Sequence, residues 1–423
     1  MLRTRLPLAA MCLALIASQP AEAAHRHHHN GHHRAGKAAA AVPVWVATWA
    51  TAQQVPEPGN ALSPDELSDA TLRQIVHTSL GGVAYRIRLS NAFGTQPLIL
   101  KSVHAALAPS PSSPAIAAAG DQVLTFAGRP DVTIPAGADY LSDPVPSRLP
   151  AMSDLAISLY MENPPAQETS HPGARATAYL VHGDHTADAT FDSPETFDHW
   201  FNLAAVEVEA AAGSATVIAL GDSITDGHGA TTNGNDRWTD ELARRLAPHD
   251  LAVANYGIGG NHLLTDGLGP SVLARFDRDV LAPAGAKTVI VFEGVNDLGG
   301  AARDHDIDPD AHRTLVASLI AAYGQIIERA HDRGLRVIGA TITPFVGSDY
   351  YHPNADVEAD RQAVNAWIRA PGHFDAVIDF DAVVRDPAAP DRLLAAFDCG
   401  DHLHPSPAGY KAMGDAIDVR LLQ

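Results

Sequence analysis

The sequence predicts a two-domain molecule: an all-β, sandwich-like domain over 44–208, then an α/β domain over 214–423 built on a parallel sheet. Three observations predict it. Between Val44 and about Glu207, short runs alternate apolar and polar residues, the period of a half-buried strand, and Gly/Pro turns separate them. From Thr216 onward, apolar strand runs alternate with helical stretches, the pattern of βαβ units. The chain has 423 residues, 46% hydrophobic and 18% charged, which is enough for two cores. That composition excludes a disordered, collagen-like or coiled-coil chain.

The first 23 residues stand apart from both domains. Arg3 and Arg5 precede an apolar run from Leu6 to Ala17, too short for a bilayer, and Ala21-Glu22-Ala23 is a small-x-small cleavage site. This pattern of a secretory signal peptide, cut after Ala23, predicts a secreted or periplasmic protein with no membrane anchor. With 29 Lys+Arg against 49 Asp+Glu, the formal charge is −20. Such a surface repels nucleic acid and anionic lipid and favours a neutral or cationic ligand.

Next comes a His/Ala-rich stretch, 24–43, expected to be a disordered linker. Its histidines (His25, His27, His28, His29, His32 and His33) could hold Zn, Ni or Cu. No carboxylate or cysteine joins them, so no metal site is expected. Cys12 leaves with the leader and Cys399 remains alone, which excludes an intramolecular disulfide in the mature chain.

Within the β domain, Val83–Ser90 sets Val83, Tyr85, Ile87 and Leu89 on one face, and Leu98–Ala106 and Leu155–Tyr160 read similarly. Turns fall at Gly81-Gly82, Asn91–Gly94, Pro109–Pro114, Gly128–Pro130 and Pro135–Gly137. No residue set in this half resembles a catalytic constellation, so it reads as an accessory domain. Trp45, Trp49 and Trp200 either stack on sugar rings or pack the core.

Ala210–Ser214 is a small-residue joint. Beyond it, strands are expected at Thr216–Leu220, Leu251–Tyr256, Thr288–Phe292, Val337–Thr341 and Val377–Phe380. Helices are expected at Asp236–Leu246, Val272–Leu281 and about Ala311–Asp332, and from Asp356 and Ser406. In the long helix Leu315, Leu319, Ala322 and Ile326 share a face, and Gly334 stands at its C-terminal end. Arg237-Trp238 reads as packing at a helix start, with sugar stacking by Trp238 as the other reading.

Chemistry in parallel sheets gathers at the carboxyl ends of the strands, and three of those ends carry unusual loops. Gly221-Asp222-Ser223-Ile224-Thr225-Asp226-Gly227 places a serine directly after a strand, where a tight turn exposes its hydroxyl and N–H. Gly-Asp-Ser is also an ordinary turn. Asp222 is expected to hold that loop by hydrogen bonds, with a general-acid role as the other reading. Asn255-Tyr256-Gly257-Ile258-Gly259-Gly260-Asn261 brings backbone close to a bound group. It lacks the Gly-x-Gly-x-x-Gly spacing of a dinucleotide loop, so an oxyanion-binding N–H fits better. Glu293-Gly294-Val295-Asn296-Asp297 sets an amide beside the same crevice, as an oxyanion donor or in an Asx-turn.

Near the C-terminus stands Asp398-Cys399-Gly400-Asp401-His402-Leu403-His404-Pro405. Asp401 and His404 are near enough for the carboxylate to orient the imidazole and the imidazole to take a serine proton. The rivals are a Cys399–His nucleophile and a His402/His404 metal pair, for which the helical histidine spacing of zinc peptidases is missing.

Together and in this order, the blocks resemble the GDSL family of esterases and lipases, also called SGNH hydrolases after four residues, here Ser223, Gly260, Asn296 and His404. The resemblance runs from about Thr216 to the C-terminus. It implies a flavodoxin-like three-layer α/β/α fold and a Ser223–His404–Asp401 triad. It also implies an oxyanion hole from the N–H groups of Ser223 and Gly260 and the Asn296 side chain, with Asp222 and Asp297 in support and no metal or organic cofactor. Trp45-Val46-Ala47-Thr48-Trp49, Arg86–Gly94 and Asp401–Pro405 extend the likeness to exported bacterial two-domain GDSL esterases. Members of that group often sit beside polysaccharide-degrading enzymes, which implies a short-acyl, acetyl-type ester of a plant polysaccharide or small molecule as substrate. The alternatives are a lipid-directed esterase or lysophospholipase, with Leu263-Leu264 or Phe345-Val346 lining an acyl pocket, and a polysaccharide-binding module carrying an inactive hydrolase.

Overall fold

The computed structural model describes residues 42–423; the leader, its cleavage position and the histidine-rich stretch lie outside the described residues. The longer strands of the N-terminal half are β1 (Val44–Ala50), β2 (Ala70–Thr78), β3 (Tyr85–Ser90), β4 (Ser102–Leu107), β5 (Ser153–Met161), β6 (Ala178–His182) and β7 (Leu203–Ala210). They form two antiparallel sheets. One runs β1-β7-β3 and then Asp139–Leu141; the other runs Glu195–Phe197, β6-β2-β5-β4 and Gln122–Val123. Val46, Ile87 and Val206 of the first sheet share one core with Leu72, Ile157 and Leu159 of the second, as in a sandwich.

Two strand expectations change here. Val83 is exposed and lies outside the ladder: its N–H bonds Glu209 O while Gly82 pairs with Leu149, so the alternating run begins only at Tyr85. The run over Leu98–Ala106 breaks at Lys101, because Leu98–Leu100 pairs with Val132–Ile134 in a separate small sheet. Trp49 and Trp200 meet edge to face at 5.0 Å inside the core. Core packing is therefore their role.

The C-terminal half is an α/β layer structure. Strands β8 (Ala215–Gly221), β9 (Leu251–Gly257), β10 (Ala286–Phe292), β11 (Arg336–Ala340) and β12 (Ala376–Ile378) lie in the order β9-β8-β10-β11-β12, every pair parallel. The helices are α1 (Ser223–Asp226), α2 (Trp238–Leu246), α3 (Val272–Phe276), α4 (Val295–Ala302), α5 (Pro309–His331), α6 (Ala355–Arg369), α7 (Phe380–Val384) and α8 (Pro407–Ala416). Capping residues set their starts. Asp308 accepts the N–H groups of Asp310 and Ala311 ahead of Pro309, and Asn354 accepts those of Asp356 and Val357. In α5, Leu319, Ala322 and Ile326 are buried, and Leu315 is half-buried. The helical run over 272–281 passes from α to π at Asp277. Trp238 is wholly buried against Phe380, centroids 5.4 Å apart, so it packs and meets no ligand.

This sheet order reverses direction on either side of β8, where doubly wound folds open a crevice. The register pairs Gly221 at the end of β8 with Gly257 of β9 and Phe292 of β10. Three strand ends therefore stand side by side, and the loops leaving them converge. The two halves are also bonded together. Thr216 Oγ1 accepts from Ala47 N–H at 3.0 Å and Ser79 Oγ from Val253 N–H at 3.0 Å, while Ala47, Ala50 and Ala205 pack into the α/β core. Among the described residues no helix is long and apolar enough to cross a membrane.

Candidate active site

Ser223 opens α1 directly after β8. Asp222 caps that helix, its Oδ1 accepting from Ile224 N–H at 2.9 Å. The Ser223 hydroxyl donates to His404 Nε2 at 2.8 Å, and His404 Nδ1 donates to Asp401 Oδ2 at 2.6 Å. The second oxygen of Asp401 accepts the N–H groups of Leu403 and His404, at 3.0 and 2.8 Å. Partial burial opposes ionisation of Asp401, but the His404 ring and these amides outweigh it and hold the carboxyl well below the usual carboxylate range. An ionised Asp401 keeps the His404 proton on Nδ1, so Nε2 presents its lone pair to the serine.

The rival readings do not share this geometry. His402 turns away to Asp398, Nδ1 to Oδ2 at 2.6 Å, so it does not join His404 as a metal pair. Partial burial and the neighbouring Asp401 push the Cys399 thiol up to about 11, which leaves little thiolate to act as a nucleophile. His228, Asp401 and His404 do bring possible ligand atoms together, but both ring nitrogens of His404 are spent on Ser223 and Asp401.

Gly260 and Asn296 stand on the neighbouring loops. Gly260 has φ +69°, the left-handed region, so a side chain there is disfavoured. Among the described residues no acceptor reaches its N–H or that of Ser223. The Asn296 amide is fixed at both ends: Tyr351 OH donates to its Oδ1 at 2.6 Å, and its Nδ2 donates to Asn261 O at 2.6 Å. That leaves one Nδ2 hydrogen for a third partner. Asp297 accepts from Leu263 and Leu264 N–H at 2.8 and 3.0 Å and so ties α4 to the glycine-rich loop.

Beneath these loops lies a buried polar layer that the sequence did not reveal. Arg275 donates to Gly221 O, Tyr256 O and Asn261 Oδ1, linking the first two loops, and pairs with Asp279. Burial pushes Asp222 up to about 7 and Glu293 well above its ordinary range. Neither carboxyl oxygen of Glu293 has a hydrogen-bond partner among the described residues, a setting that disfavours the charged form.

A cavity of about 1440 Å³ opens over Ser223 and His404. Its walls come from both halves. The β half, read from sequence as accessory, supplies Gln54, Glu57, Asn60, Arg175 and His199; the α/β half supplies Leu264, Leu268, Leu315 and Tyr350. Glu57 accepts from the Gln54 and Asn60 amides at 2.8 Å each, so this polar wall is ordered. Of the two loop pairs expected to line an acyl pocket, Leu264 reaches the cavity, whereas Phe345 is buried in the core.

If Asn296 donates to a developing oxyanion, Asn296→Ala is expected to lower kcat about 10²–10³-fold with the fold intact. Steady-state kinetics on p-nitrophenyl acetate read this directly, and unchanged turnover would remove Asn296 from the site.

Residues 219–412 match the model of the GDSL-like lipase/acylhydrolase family. That match lies within the C-terminal α/β half and takes in all four of the loops described above. Solved structures similar to it include a lipolytic protein of the G-D-S-L family from Desulfitobacterium hafniense DCB-2, 22% identical over 48% of this chain and 97% of its own, with a TM-score of 0.36. Another is an acetyl xylan esterase from Geobacillus stearothermophilus, 21% identical over 50% of this chain and 95% of its own, TM-score 0.36. No curated protein matches the sequence.

Proposed function

We propose that the protein is an exported serine esterase that releases short acyl groups, acetyl above all, from polysaccharide or small esters. The observation that carries this reading is the unbroken relay from Ser223 Oγ through His404 to Asp401, opening on a large cavity. Ser223 attacks the ester carbonyl while His404 Nε2 accepts its proton, and Asp401 stabilises the resulting imidazolium. The oxyanion takes hydrogen bonds from Ser223 N–H, Gly260 N–H and Asn296 Nδ2. His404 then protonates the leaving alcohol, and water repeats the sequence to free the acid. No step needs a metal or organic cofactor.

The wall of Gln54, Glu57, Asn60 and His199 supports a hydroxyl-rich alcohol, since amides, carboxylates and imidazoles bond hydroxyl groups. The apolar side chains of Leu264, Leu268 and Leu315 support the lipid-directed reading instead. A series of p-nitrophenyl esters from acetate to dodecanoate separates the two. A steep preference for acetate, with acetate released from acetylated xylan, is the expected result. A preference for long chains would move the assignment to lipid. Absence of hydrolysis at every chain length would leave the protein as a binding module.

A further inference from the structure

The segment Ser170–Thr177 of the β half lies across the nucleophile helix and the loop after it. His171 Nε2 meets Asp226 Oδ1 at 2.8 Å, Ala174 O accepts from Arg237 at 2.5 Å, and Arg175 O accepts from Asn233 N–H at 2.9 Å. The approach is close: a Cβ on Gly173 would stand 1.8 Å from Asp226 Oδ2. Arg175 itself sits at φ +49°, a left-handed backbone that costs a side-chain-bearing residue free energy.

From this strap the Arg175 guanidinium reaches the site and donates to His228 Nδ1 at 3.1 Å. A guanidinium only donates, so His228 Nδ1 carries a lone pair and the ring proton sits on Nε2. Nε2 stands 3.7 Å from Asp401 Oδ2, the oxygen that binds His404. The His228 ring lies on the His404 ring, with centroids 4.0 Å apart and planes tilted by 36°. Its backbone is pinned on both sides, by its N–H to Ser223 O at 2.9 Å and by Tyr410 OH to its carbonyl at 2.6 Å.

We propose that His228 is a positioning residue for the Asp401–His404 pair, and that Arg175, supplied by the β half, holds it in the neutral Nε2–H form this role requires. The proposal rests on the triad reading above. A neutral ring packed on His404 limits rotation of the imidazole away from Ser223, and its N–H points the positive end of a dipole at Asp401. A protonated His228 would instead set a second cation against the imidazolium formed during catalysis. The charged and titratable groups facing the His228 ring are Arg175 from the strap, His404 and Asp401 from the C-terminal loop and Asp226 from α1, while Tyr410 of α8 meets its backbone carbonyl. Partial burial, His404 and Arg175 push the half-exposed His228 ring down to about 4, against the opposing pull of Asp401 and Asp226. Removing Arg175 removes one of the downward causes, so the His228 pKa rises and its charged form appears at higher pH.

The test is the pH dependence of kcat and kcat/KM on p-nitrophenyl acetate for the wild type, Arg175→Met, His228→Phe and the double variant. In Arg175→Met the acid limb is expected to move to higher pH. In His228→Phe, which keeps a ring but loses the N–H, kcat is expected to fall about tenfold, within the ~10²-fold that ångström-scale misplacement costs, with KM little changed. The double variant is expected to return the acid limb to the position that His404 alone sets, because residue 228 no longer titrates. A merely structural role would lower activity without moving that limb. An Arg175→Met profile superimposable on the wild type, or a displacement that persists in the double variant, would overturn the proposal. Those outcomes leave the triad reading intact, whereas activity that survives loss of Ser223 would sink the triad itself.

Discussion

Ser223→Ala is expected to lose about 10⁶-fold in kcat, the scale seen when one member of a mutually dependent triad is removed. The substitution deletes a single oxygen whose hydrogen-bond partner in the site is His404 Nε2. The backbone N–H at residue 223, the Asp222 cap and the packing of α1 stay as they are. The variant should therefore fold, bind substrate with nearly the wild-type KM and unfold at nearly the same temperature. Thermal unfolding and a titration of p-nitrophenyl acetate hydrolysis check all three. A folded variant that keeps turnover within tenfold of the wild type would remove Ser223 as nucleophile.

The second large effect belongs to Asp401→Asn, for which a loss of about 10⁴ in kcat is expected. Asparagine keeps the shape, and its oxygen can still accept the N–H groups of Leu403 and His404. Its NH2 group would then face His404 Nδ1 in place of the carboxylate oxygen now 2.6 Å away. An amide donor there favours the lone pair on Nδ1 and moves the ring proton to Nε2, so the imidazole no longer accepts from Ser223. The loss should fall on kcat and leave KM nearly unchanged. A drop smaller than tenfold would mean that His404 is oriented by its backbone and by the His228 ring alone.

Much of this site was legible because its parts are written as short contiguous blocks. Gly-Asp-Ser, the glycine-rich run, Gly-Val-Asn-Asp and Asp-x-x-His each follow or precede a recognisable element. The order of βαβ units then tells which strand ends are neighbours. Asp401 and His404 lie three residues apart, so their pairing is local.

What stayed hidden depends on contacts between distant segments. Tyr351 holds Asn296 across 55 residues, Arg175 meets His228 across 53, and His171 meets Asp226 across 55. The distant partners Tyr351, Arg175, His228 and His171 do not differ in type or local spacing from ordinary surface or core residues. Glu293 reads as part of a turn, yet it is buried without a partner.

The sequence by itself determined the class of each half, the strands that carry the loops and the blocks that hold Ser223, Asp401 and His404. Hydrophobic period and turn chemistry act over a few residues and are written in the chain. Only the tertiary structure decided that the β half forms a wall of the cavity and lays a strap across α1 and the loop after it. Those arrangements follow from docking two layered cores against each other, where shape and hydrogen-bond satisfaction across the whole interface choose the partners.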